Sequence, residues 1–108
     1  MLEFKEQSGL IIGSLVDTDR LNATVASEVK TELTDVLSKS GTKLLINLSN
    51  VKFIDSTGIG VLISALKTAR QHNGSLYLCS IQSQVMSLLS LMKLDKIFEI
   101  YKNEEDVM

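Results

Sequence analysis

The 108-residue chain has no proline, one cysteine, one histidine and no apolar run near the ~20 residues that a membrane-spanning helix needs. Each absence removes a class of protein. With no proline, low-complexity tract or internal repeat, nothing marks a boundary, and residues 1–108 read as a single domain burying one core. Cys79, alone in LYLC, has no partner for an internal disulfide, which fits a reducing compartment and a buried core thiol. One Cys, one His and no convergent carboxylate spacing indicate neither a metal site nor a cofactor. The net charge is −2 and the Lys and Arg residues are scattered singly, so neither nucleic acid nor an anionic membrane is an expected partner. The opening MLEFKEQ lacks the basic and then apolar order of a secretory leader, and the expected location is cytoplasmic.

What is present is a globular balance, 44% apolar and 22% charged. Leu2 to Phe4 and Leu10 to Val16, either side of Gln7-Ser8-Gly9, predict an antiparallel hairpin. From Ala23 to Lys39, Val25, Val29, Leu33, Val36 and Leu37 recur at helical spacing, and Ser40-Gly41 supplies a stop. Lys43 to Leu48 is a short apolar run suited to a strand buried on both faces. Ile59, Leu62, Ile63, Leu66 and Ala69 then give the clearest helical stripe, ended by His72-Asn73-Gly74. Leu76 to Cys79 repeats the strand pattern, Val85, Leu88, Leu89 and Met92 the helical one, and Ile97 to Tyr101 closes as a strand. Alternating strands and helices imply right-handed crossovers and a mostly parallel sheet, with the hairpin as its antiparallel edge. In such sheets, sites gather where a strand hands over to the next helix.

One handover is unusual. FIDSTGIG, Phe53 to Gly60, opens a helix with two glycines, each costing ~1 kcal/mol relative to Ala. Asp55 or Ser56 explains itself as a helix cap. The glycines do not; they relieve crowding against the sheet or let another molecule approach closely. A serine hydroxyl at a helix start is open to a phosphoryl donor, and the helix N–H groups favour the resulting phosphate. Hydrolysis by Ser56 would need a base, yet His72 lies ~24 Å away at the far end of the same helix. The flanks are not G-x-S-x-G, DSTG is one residue too long for an aspartic-protease triplet, and no nucleotide-cradling glycine loop occurs.

The order of elements, together with VKFIDSTGIGVLISALKTARQHNGSLYL and LLSLMKLDKIFEIY, resembles the STAS domain, in particular the bacterial anti-sigma factor antagonists, over nearly the whole chain. The resemblance implies one α/β domain with a mixed, mostly parallel sheet of about five strands packed with about four helices. It also implies partner switching in a stress response. In that family the unphosphorylated antagonist binds an anti-sigma factor that is itself an ATP-dependent serine kinase of histidine-kinase-like fold, releasing the sigma factor. Phosphorylation ends the complex, and a PP2C-type phosphatase restores it. Carried over, Ser56 is the phosphoacceptor, Asp55, Thr57, Gly58, Ile59 and Gly60 lie in the kinase-contact patch, and the protein is a substrate rather than an enzyme. Asn22, where many members have Asp, joins the patch without its charge, and Lys93 replaces a glycine of the closing turn. The alternative is a STAS scaffold or regulatory subunit, transporter-associated or in a stressosome-like assembly, not controlled by reversible phosphorylation.

Overall fold

Short apolar runs on either side of a turn signal produce the expected hairpin: β1 (Leu2–Gln7) and β2 (Leu10–Leu15) pair antiparallel, turning through Ser8 and Gly9 at positive φ. The computed structural model describes residues 1–107. A short strand β3 (Arg20–Leu21) leads into helix α1 (Ala23–Leu37), followed by β4 (Lys43–Asn47). A second short strand, β5 (Phe53–Ile54), leads into α2 (Ser56–Gln71), followed by β6 (Ser75–Cys79), α3 (Ser83–Leu91) and β7 (Glu99–Tyr101).

The main sheet has the order β1-β2-β4-β6-β7, antiparallel at β1–β2 and parallel elsewhere. Each crossover through a helix therefore steps one strand further in the same direction. Right-handed connections that never reverse place all three helices on one face. The packing agrees: Leu15, Leu44, Ile46, Leu76 and Leu78 form one core with Val29, Leu33, Leu62, Ala65 and Leu89 of the helices. The alternate residues Leu10, Ile12, Leu45 and Cys79 form a second core on the opposite face, to which no helix contributes.

The helix count is lower than expected. Among the described residues there are three α-helices, not about four; Leu94–Lys96 and Glu104–Asp106 form single 3-10 turns. Neither segment is long enough for an apolar stripe to repeat, so neither can hold a longer helix against the sheet. Lys93 takes the left-handed conformation, φ 61°, which glycine adopts at the least steric cost. The small β3–β5 sheet was not anticipated, because two residues cannot show alternation.

The segment Asn103 to Val107 packs on the helix-free face. One Glu104 carboxylate oxygen accepts from Asn47 Nδ2 at 2.6 Å, and the other lies 3.4 Å from Lys5 Nζ. Lys5 is on β1 and Asn47 on β4, so Glu104 spans β2 and carries Val107 onto the second core. Val107 lies at the hairpin end of the sheet, with Ser8, Gly9, Gly41 and Lys43 around a shallow 320 Å³ hollow. Cys79, the last residue of β6 and paired with Asn47, is fully buried, and burial pushes its thiol above the ordinary range. A thiol reagent is thus expected to react slowly with the native protein. Glu104→Ala removes a charge-assisted bond worth ~1.5 kcal/mol or more, so labelling should be about tenfold faster. An unchanged rate would show that the segment does not control access.

Candidate functional site

Backbone pairing outside the main sheet builds the site. Arg20 and Leu21 of β3 pair in parallel with Phe53 and Ile54 of β5, and each strand runs directly into a helix. The starts of α1 and α2 are therefore side by side. On the outer face of this two-stranded platform the Arg20 guanidinium sits 4.8 Å from the centre of the Phe53 ring.

Each helix start has a polar cap from the residue after its strand. Asn22 Oδ1 accepts from the Thr24 N–H at 3.2 Å, and Asp55 Oδ1 accepts from the Gly58 N–H at 2.8 Å. Asp55 has a second role that its place in the sequence did not reveal. Its other oxygen, Oδ2, accepts from the Ala23 N–H of α1 at 3.2 Å. One carboxylate thus satisfies free donors of two helices and ties their starts together. The Asp55 N–H is also directed at the Leu21 carbonyl, 3.4 Å away. A cue lay in the repeated pattern of apolar residue, cap and helix, Leu21-Asn22-Ala23 and Ile54-Asp55-Ser56.

Ser56, the first residue of α2, and its neighbour Thr57 are both exposed. Two helix starts with incompletely satisfied N–H groups give this tip a positive partial charge, offset by Asp55. The six sequence-predicted positions beside Ser56 are thus brought together, but not equally displayed. Asp55, Thr57 and Gly60 are exposed and Asn22 is half-buried, whereas Gly58 and Ile59 are buried beneath them.

The two glycines have different causes. A Cβ on Gly58 would overlap the Leu21 carbonyl oxygen and lie 2.8 Å from its carbon and 2.9 Å from Ile54 Cγ1. Gly58 is what lets α2 start against β3. Around Gly60 a Cβ would meet nothing within 4 Å. The fold therefore does not need glycine there. Gly60→Ala is expected to stabilise the chain by ~1 kcal/mol through helix propensity, raising Tm by roughly 4–8 °C. Thermal unfolding followed by circular dichroism checks this, and a fall in Tm would mean that Gly60 has a conformational role.

Gly60 opens onto a groove of about 580 Å³ between α1 and α2, also lined by Ala23, Ala26, Lys30, Thr57 and Val61. His72 is remote from it, closing the other end of α2, where its Nδ1–H donates to the Thr68 carbonyl at 2.9 Å. Among the described residues no three His, Cys, Asp or Glu side chains converge as metal ligands do. No helix among them is long and apolar enough to cross a membrane.

Comparison with known proteins converges on one family. The STAS domain model matches residues 5–107. The anti-sigma-B factor antagonist of Listeria monocytogenes is 36% identical over 100 residues, covering 85% of this chain and 87% of that protein. The anti-sigma F factor antagonist of Paenibacillus polymyxa is 26% identical over 108 residues, covering 99% and 91%. The same fold is found in an anti-sigma-factor antagonist (STAS) domain protein of Planctomyces limnophilus, with a TM-score of 0.90 at 19% identity, covering 98% and 93%. By a match spanning nearly its whole length, this chain is a STAS domain of the anti-sigma factor antagonist family.

Proposed function

We propose that the chain is a phosphorylation-gated antagonist that sequesters an anti-sigma factor while Ser56 is free and lets it go when Ser56 is phosphorylated. The observation that carries this reading is the exposed Ser56 hydroxyl at the first position of α2, between the double cap Asp55 and a groove kept open at Gly60. A phosphate there would be solvated and would face the positive ends of two helices, so the modified chain stays folded. Its charge would adjoin that of Asp55 and turn a mildly polar docking tip into a strongly anionic one.

In this reading the partner is an anti-sigma factor that is also the ATP-dependent serine kinase, and a PP2C-type phosphatase reverses the modification. The chain acts in the cytoplasm as substrate and binding module rather than as an enzyme. A self-contained nucleophile would need a base, and His72 is a helix length away, ~24 Å. Incubation with the cognate kinase and ATP, read by intact mass, should add one phosphate to the wild type and none to Ser56→Ala. A wild type without mass gain, or an equal gain in Ser56→Ala, would overturn it.

A further inference from the structure

The groove beside Ser56 has a chemistry that the phosphoacceptor does not explain. Its floor is small and apolar: Ala26 and Val61 are buried, and Gly60 leaves open the space that a side chain would occupy. Its one charged lining residue is Lys30, which is exposed and takes part in none of the ion pairs among the described residues. The positive partial charge of the two helix starts at its upper end is offset by Asp55, which caps both, so Lys30 is the cation that sets the charge along the groove. The walls are two helices whose starts abut, and the small residues between them leave a furrow that the ridge of another helix can enter.

We propose that this groove takes an amphipathic helix of the partner, with apolar side chains over Gly60 and Val61 and a carboxylate paired with Lys30. The proposal rests on the reading of the Ser56 tip as a docking surface and specifies what docks there. An apolar floor with one unpaired cation is complementary to an acidic, aliphatic helix face and mismatched to a basic one. It also accounts for glycine at a position where the fold itself would accept alanine. Acidic character in the occupant makes the switch effective, since a phosphate on Ser56 at the mouth of the groove then repels what the groove holds.

The test uses the full chain and the protein that binds its Ser56→Ala form. Ser27→Cys, on the rim of the groove, is coupled to a benzophenone maleimide while buried Cys79 stays unmodified. After illumination the cross-linked partner peptide is sequenced. The expected peptide carries Asp or Glu within one or two helical turns of Leu, Ile or Met. Lys30→Glu should weaken binding at least tenfold, and replacing the partner's acid by Lys should restore it. Gly60→Leu should weaken binding similarly without lowering Tm. A peptide without an acid, a peptide from a second copy of this chain, or wild-type affinity in both variants would overturn the proposal. Wild-type affinity with normal Ser56 phosphorylation removes only the groove. A groove-dependent partner that leaves Ser56 unphosphorylated removes only the switch.

Discussion

Replacing Gly58 by alanine is expected to cost about 3 kcal/mol of stability and to lower Tm by more than 10 °C, from the overpacking range and the Tm shift per kcal/mol in a domain of this size. The added methyl would have to displace the Leu21 backbone rather than a side-chain tip, so the upper part of the overpacking range applies. Moving the start of α2 away from β3 would also lengthen the Asp55 bonds to Gly58 and Ala23, which share one carboxylate. Denaturant unfolding with an unchanged m-value measures the loss. The contrast with Gly60→Ala is the sharper test: one added methyl, two residues apart, with opposite signs. A Gly58→Ala loss under ~1 kcal/mol would mean that α2 slides freely on β3.

Phosphorylation of Ser56 is expected to weaken partner binding about a thousandfold. Like charges ~4 Å apart at an effective dielectric of ~20 repel by ~4 kcal/mol, and ~1.4 kcal/mol is a decade. The phosphate carries nearly two charges at neutral pH, and salt screening at the exposed tip offsets part of that. Ser56→Asp, with one charge, should lose affinity less steeply, whereas Ser56→Ala should keep it. Titration of the purified kinase with the four forms, at low and high salt, measures both the loss and its electrostatic origin. An unchanged affinity of the phosphorylated form, or a loss insensitive to salt, would remove charge repulsion as the mechanism.

The sheet, its hairpin edge and the three α-helices were legible because each carries a period long enough to read. Val25 to Leu37 and Ile59 to Ala69 mark helix faces, and Leu44 to Ile46 mark a strand buried on both sides. α1 stops two residues before the anticipated Lys39, at Leu37, where the Ser38 hydroxyl turns back to the Thr34 carbonyl at 2.5 Å. The local part of the site was equally visible, since capping joins residues two or three apart. Beyond reach were contacts between segments distant in the chain. Nothing in Asp55 itself discloses Ala23, 32 residues away, as its second donor. Nor does DSTGIG show that Gly58 meets Leu21 while Gly60 meets nothing. The two glycines are indistinguishable until β3 and β5 pair.

Because Val107 lies over the hairpin side of the sheet, while Ser56 crowns the side where strands become helices, the two lie at opposite poles of the molecule. A sensor surface that holds the chain through a cysteine in place of exposed Ser8, beside Val107, would therefore present every copy with Ser56 outward and leave that pole unobstructed.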